Sequence, residues 1–171
     1  MTILAGIDIE TTGLNQANGH RITEIAIGLY RWGGGSLNKI GMFQRRINPE
    51  RSIDAKAEEV TGLTLADLLG EPKWDDIAPI ASKILSKAEV VVAHNGAAFD
   101  VPFLEGEFRR LRLDGFPQFR LIDTMTQARW ATYDGSLPSL QALASACDVD
   151  YDKARAHAAE YDVDVMMKCV S

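Results

Sequence analysis

The chain is poor in cysteine. Cys147 and Cys169 are the two present among 171 residues, widely separated and in neither a CxxC pair nor a zinc-ligand spacing, which excludes a disulfide framework and a structural zinc site. They are expected as core thiols of a protein kept in a reducing compartment. Positive charge is also in deficit. Lys and Arg number 18 against 24 Asp and Glu, a formal net charge of -6, and coating duplex nucleic acid by bulk electrostatics needs the opposite balance. A local contact remains allowed. No apolar run approaches the ~18 residues of a membrane span, and no charged-then-apolar leader opens the chain. The expectation is a cytoplasmic protein without membrane contact. Internal repeats, linkers and low-complexity tracts are likewise absent.

What the chain does have is apolar mass, 46% of its residues, enough for the core of one domain spanning 1–171. Its organising stretch is Ile3-Leu4-Ala5-Gly6-Ile7-Asp8-Ile9-Glu10-Thr11-Thr12-Gly13. The β-branched apolar run closed by a turn predicts a buried strand. In a strand Asp8 and Glu10 share a face, about 7 Å apart, while Ile7 and Ile9 point to the other. Taken alone the stretch leaves two readings. Either the strand ends at Ile7 and the acids are solvated turn residues, or two like charges stand side by side on a buried strand, where a hard divalent cation is the usual compensator.

Alternation predicts further strands over Ile22 to Trp32 and Ile40 to Ile47, joined by Gly33-Gly34-Gly35-Ser36 into an antiparallel meander. Residues 53–69 read as a surface excursion, with a broken helix over Ala55 to Val60 and Thr64 as the N-cap of a short turn. Asp75 to Lys87 predicts an amphipathic helix burying Ile77, Ile80, Ala81 and Ile84, with Pro79 in its first turn. Glu89 to Ala93, apolar on both faces, predicts a central parallel strand. A helix with Val101, Leu104, Phe108 and Leu111 on one stripe follows. Then come a brief strand Phe119 to Ile122, a helix to about Trp130, a stripe of Leu140, Leu143, Ala144 and Cys147, and a last helix from about Ala154 to Lys168. Three antiparallel strands followed by alternating helix and strand predict an α/β fold, a mixed five-stranded sheet with helices on both faces.

Two more acids fall at functional positions. Asp100 follows the central strand at its C-terminal end, where open α/β sheets bind ligands. Asp162 lies in the last helix, and His157, about 140° away at ~100° per residue, cannot share its helical face. His157 is therefore expected at the helix start or in the loop before it.

Three blocks then carry a resemblance. Asp8-Ile9-Glu10-Thr11-Thr12-Gly13, His94-Asn95-Gly96-Ala97-Ala98-Phe99-Asp100 and His157-Ala158-Ala159-Glu160-Tyr161-Asp162 resemble the three exonuclease motifs of the DEDD superfamily, in the histidine-containing branch that includes the epsilon proofreading subunits of bacterial DNA polymerase III and RNase T. The similarity runs from Ile3 to about Met166 and includes Asp123-Thr124 and the Ser139 to Leu143 helix. It implies an RNase H-like fold and a metal-dependent 3′ to 5′ exonuclease releasing nucleoside 5′-monophosphates from single-stranded ends, DNA favoured. It also implies two Mg²⁺ or Mn²⁺ ions on Asp8, Glu10, Asp100 and Asp162, with His157 as general base. Members of that branch often carry histidine where Thr61 stands here. The sequence ends nine residues after Asp162, and the reading favours a stand-alone nuclease, monomer or homodimer, over a polymerase subunit.

The chemistry is coherent without the name. Four converging carboxylates are self-repulsive until divalent cations neutralise them, and a histidine beside them titrates in the range a general base needs. For the terminal nucleotide the candidate contacts are Ile9, Thr11, Thr12, Leu14, Asn95 and Phe99, because a base against an apolar ring is a sequence-tolerant contact. His94 reads as a hydrogen-bonded loop or core residue rather than a ligand, His20 as solvent-facing or approaching the substrate, Asp123 as a helix cap or a fifth acid near the site, and Arg109, Arg110, Arg112, Arg120 and Arg129 as a solvated face or phosphate contacts. The alternatives are an exoribonuclease trimming short RNA or RNA 3′ tails, and a non-catalytic end-binding module.

Overall fold

The computed structural model describes residues 1–113 and 116–171. Its centre is β1 (Thr2–Thr11), which pairs antiparallel with β2 (Ile22–Gly33), itself antiparallel to β3 (Ser36–Arg46). Helices α1 (Ala55–Thr61), α2 (Leu65–Leu68) and α3 (Trp74–Leu85) follow. Strand β4 (Val90–Ala93) then runs parallel to β1, and after α4 (Asp100–Arg110), β5 (Arg120–Asp123) runs parallel to β4. The sheet order is β3-β2-β1-β4-β5. Helices α5 (Thr124–Gln127), α6 (Leu140–Ala146) and α7 (Ala159–Val170) complete the chain. This is the expected mixed five-stranded sheet.

Helices cover both faces. On one, Ile7, Ile9, Ile25, Ile27 and Val91 pack with Trp74 and Ile77 of α3 and Phe103, Leu104 and Phe108 of α4. On the other, Leu4, Ala26 and Val92 pack beneath Val163, Met166 and Met167 of α7. The alternation of β1 assigns its residues to these layers, Ile7 and Ile9 to the first, Leu4 to the second.

Element boundaries differ from expectation where hydrophobic pattern is silent. Strand β3 starts at Ser36 rather than Ile40, because Gly34 and Gly35, with φ of +64° and +79°, close a two-residue hairpin whose twist suits continued pairing. Of the residues this adds before Ile40, Ser36, Asn38 and Lys39 are polar and exposed and give no apolar alternation to read. In α3 Ile80 is exposed, while Trp74, Ile77, Ala78, Ala81 and Leu85 are buried; the buried stripe is centred on Trp74 and Ala81, and at ~100° per residue Ile80 falls outside it. Pro79 lies inside α3, not in its first turn, on the exposed side. The helix expected up to Trp130 ends at Gln127 and gives way to a single 3₁₀ turn, Arg129–Ala131.

The last helix begins five residues later than expected, at Ala159. Before it, Asp152 Oδ1 accepts from Ala154 N at 2.9 Å, and His157 adopts a left-handed φ of +63°, which a helix cannot contain. Cys147 and Cys169 are free but only half-buried, at the contact of α6 with α7 rather than in the core. Among the described residues no helix is long and apolar enough to cross a membrane.

Candidate active site

Strand pairing of β1 continues through Asp8 and Glu10 to Thr11, so both acids stand within the strand and not in a turn. They share the face covered by α7. What lets α7 come close is a pair of glycines, Gly6 on β1 opposite Gly28 on β2. A Cβ at Gly6 would meet Met167 Cγ at 2.6 Å and Val163 Cγ1 at 3.0 Å, and one at Gly28 would meet Val163 Cγ1 at 3.1 Å. The missing side chains seat Val163 and Met167 directly on the sheet. Seating them brings the preceding turn of α7, with Asp162, over Asp8 and Glu10.

Glu10, His157 and Asp162 come together, each offering a ligand atom within 4.8 Å of the others. Asp162 Oδ2 accepts from His157 N at 3.0 Å, which holds the left-handed residue in place. Its other oxygen, Oδ1, is buried and has no hydrogen-bond partner among the described residues. Asp8 and Asp100 stand beside this group and outside its tightest part. Asp100 is buried at the start of α4, and its Oδ1 accepts from Ile9 N, between the two strand acids, at 3.1 Å.

The electrostatics follow from burial and crowding. Glu10 is pushed up to about 9, first by burial and then by Asp162, Glu24 and Asp100. Burial lifts Asp100 to about 7 against the hydrogen bonds it accepts. Asp8 is held well above the usual carboxylate range by burial, then by Asp100, Glu10, Asp162 and Glu24. Asp162 is raised by burial. Without a cation these groups hold protons that isolated carboxylates would lose. Hard carboxylate oxygens, one of them an orphaned buried acceptor, form the donor set that Mg²⁺ or Mn²⁺ prefers. The residues fit such ions.

A cleft of about 350 Å³ opens beside Glu10, lined by Thr11, Leu14, Val60, Thr61 and Phe99 among others. Leu14 is 80% exposed at its rim, free to meet a ligand. Of the candidate nucleotide contacts, Thr11, Leu14 and Phe99 line this cleft and three do not. Ile9 is buried in the core, Thr12 is fully buried with its hydroxyl accepting from Arg21 N, and Asn95, with φ +68°, donates its backbone N–H to Asp123 Oδ1. Thr61 lines the wall with its hydroxyl donated to Ala57 O at 2.9 Å.

Several quieter residues are also placed. His20 is not solvent-facing: it is buried under Gly13, with Nδ1 3.0 Å from Thr12 Oγ1 and Nε2 3.6 Å from Asp54, and it lines the cleft, as the reading of it near the substrate had it. The polarity of its loop hid this contact, which the close approach of Gly13 makes. His94 is the hydrogen-bonded loop residue expected, bridging Thr124 Oγ1 and Pro138 O. Asp123 caps α5 through Met125 N and Thr126 N and also accepts from Asn95 and Ala97 amides, tying β5 to the loop that leads to Asp100. Arg110 is engaged with Glu107 and Asp75, and Arg129 with Gly135 O. Arg109, Arg112 and Arg120 are exposed.

Comparison with known proteins decides the family. A family profile described as exonuclease matches residues 5–170. The chain belongs to the exonuclease family. Among curated members, the DNA polymerase III epsilon subunit of Pasteurella multocida is 31% identical over 171 residues, covering 94% of this chain and 63% of its own. That of Rickettsia conorii is 33% identical over 163 residues, covering 91% and 66%. The chain thus spans somewhat under two thirds of the curated relatives it matches. Its RNase H-like fold is shared with Escherichia coli exonuclease I solved with a dT13 oligonucleotide, at a TM-score of 0.82 and 19% identity over 99% of this chain and 41% of that one. Exonuclease X, solved with 5′ overhanging duplex DNA, aligns with a TM-score of 0.70 and 24% identity over 98% and 88%.

Two parts of this exonuclease-family site escaped the sequence. Glu24 of β2 is the register partner of Glu10, is buried, and raises both Asp8 and Glu10. Its signal was available, since an acid inside the apolar run Ile22 to Ile27 needs a reason. Helix α1, read as a surface excursion, supplies a wall of the cleft through Lys56, Ala57 and Val60. Its neighbours come from a distant part of the chain and leave no local mark.

Proposed function

We propose that the 171 residues act as a single metal-dependent 3′ to 5′ exonuclease domain that releases nucleoside 5′-monophosphates from single-stranded DNA ends. The observation that carries this is the convergence of Glu10, His157 and Asp162 within 4.8 Å, with Asp8 and Asp100 beside them, at the edge of a cleft of about 350 Å³. That volume is at the small end of ligand sites and suits one nucleotide. Family membership supports the polarity, and the epsilon relatives support DNA.

In this mechanism Asp8, Glu10, Asp100 and Asp162 would hold two Mg²⁺ or Mn²⁺ ions. Bound there, such ions neutralise the carboxylates and supply the Lewis acidity that eases phosphodiester hydrolysis. Phe99 and Leu14 hold the terminal base by apolar contact, leaving base identity unread. His157, exposed on its solvent side and turned by its left-handed backbone toward Glu10 and Asp162, takes the proton of the attacking water. The water oxygen bonds to phosphorus, the bond to the 3′ oxygen of the next nucleotide breaks, and that oxygen takes up a proton. The cleft wall by Thr11 and Glu10 faces the terminal 3′ hydroxyl, where a doubly charged group is costly to bury.

The test is a 5′-labelled single-stranded oligonucleotide, as DNA and as RNA, with a 3′ hydroxyl or a 3′ phosphate, incubated with Mg²⁺. The expected result is a ladder shortening from the 3′ end, nucleoside 5′-monophosphate as product, DNA cut faster than RNA, and the 3′ phosphate blocking. Internal cuts, or shortening from the 5′ end, contradict the reading; faster digestion of RNA replaces its substrate.

A further inference from the structure

His157 sits on a segment with little to hold it. Residues 152–155 are exposed, and their backbone bonds, Arg155 N to Asp152 O and Ala158 N to Arg155 O, stay within the segment. A left-handed non-glycine residue persists only where its surroundings impose it. Among the described residues the one bond from His157 itself, its backbone amide to Asp162 Oδ2, ends on a carboxylate that the function proposed above also commits to a cation.

Three contacts from this segment converge on a single side chain, Tyr161, in the first turn of α7. The Arg155 guanidinium lies over its ring, 4.5 Å from the centroid. The Tyr151 ring packs beside it, centroids 6.0 Å apart and planes at 51°. Its hydroxyl oxygen accepts from Asp152 N. Tyr161 thus grips positions 151, 152 and 155, while its neighbour Asp162 grips 157. The phenol ring is half-buried, so these contacts are partly shielded from water, where a stacked guanidinium is worth more than on an open surface.

We propose that Tyr161 is a positioning residue for the reaction, a clamp that holds the 151–158 segment so that the His157 imidazole faces Glu10 and Asp162. It touches neither substrate nor cation and acts through His157. This rests on the reading of His157 as general base, and the experiment separates the two.

Single-turnover and steady-state rates on a single-stranded DNA oligonucleotide with Mg²⁺ are compared for wild type, Tyr161→Ala, Tyr161→Phe, His157→Ala and the double variant Tyr161→Ala/His157→Ala. Misplacement of about 1 Å costs on the order of 10²-fold, so Tyr161→Ala is expected to lower kcat about 10- to 10²-fold with KM within about threefold. Tyr161→Phe, which keeps the ring beneath Arg155, restores most of the rate. In the His157→Ala background Tyr161→Ala has nothing left to position and adds no further loss. Amide hydrogen exchange at 152–157 should quicken in Tyr161→Ala and change at Asp152 alone in Tyr161→Phe.

An unchanged kcat in Tyr161→Ala, an equal fractional loss in the double variant, or unaltered exchange at 152–157 each overturns the clamp. If wild type cuts nothing, or His157→Ala cuts as fast as wild type, the function reading fails first and the positioning role falls with it.

Discussion

His157 shows how much a single residue's setting decides. Its position ahead of the helix was legible from the five-residue separation from Asp162, because no α-helix brings those two side chains to one face. Its left-handed backbone was not, since nothing in His-Ala-Ala announces φ > 0 as a glycine would. His157→Ala is expected to lower the cleavage rate by about 10² to 10⁴, the usual span for a lost general base, while Mn²⁺ still raises the melting temperature. An unchanged rate in a folded variant removes His157 from the chemistry. Asp8 tests the acids differently. Asp8→Asn removes a buried carboxyl that must take up a proton, or stay ionised among its neighbours, for the metal-free chain to fold, so the metal-free protein should melt higher than wild type near neutral pH while cleavage is lost. Full activity in that variant contradicts the assignment. Glu24 escaped because strand register, not spacing along the chain, places it opposite Glu10.

At the scale of elements, sheet and helices were legible where apolar period and burial agree. Strand β4, buried at all four positions, and the stripes of α4 are of that kind. Starts and stops failed where exposed backbone pairing or a loop conformation decides, as at Ser36 and Ala159. The glycine pair Gly6 and Gly28 belongs to neither group. Each reads as a weak point in a strand, yet together they seat α7 and so set the height of Asp162 above the strand acids. Gly6→Val tests this with opposed effects. Valine favours a strand by up to ~1 kcal/mol over glycine, but its Cβ would lie 2.6 Å from Met167 and 3.0 Å from Val163, and overpacking costs about 1–3 kcal/mol. Val163 is branched and pinned against Gly28, so the clash should prevail. The expected outcome is a lower urea midpoint and a loss of activity larger than the loss of stability explains, because α7 moves with its acid. A higher midpoint with full activity shows that α7 tolerates lifting and that the glycines do not set the site.

The whole molecule carries the acid cluster as a cost, and that cost has a sign. In the metal-free protein Glu10 holds its proton up to about 9 and Asp100 up to about 7, and Asp8 and Asp162 are also raised. Unfolded, these carboxylates titrate near ~4. Between those values the native state binds more protons than the unfolded one, so their contribution to stability is fully present below about pH 4 and is lost as pH rises through about 7 and then about 9. Other groups favour neutral pH over strong acid, so the informative window is about pH 5 to 9. There the metal-free melting temperature should fall by several degrees. Divalent cations bind the ionised carboxylates, and that reverses the slope: stabilisation by Mg²⁺ or Mn²⁺ should grow with pH across the same window and release protons on binding. Cleavage should require Mg²⁺ or Mn²⁺, stop in EDTA, and fail with Ca²⁺, whose looser coordination holds the acids without the geometry hydrolysis needs. Calorimetry in EDTA and in excess Mg²⁺ at several pH values, with proton release followed in two buffers, reads the prediction directly. A metal-free melting temperature that rises from pH 5 to 9, or a Mg²⁺ shift independent of pH, contradicts a self-repulsive cluster at the centre of the molecule.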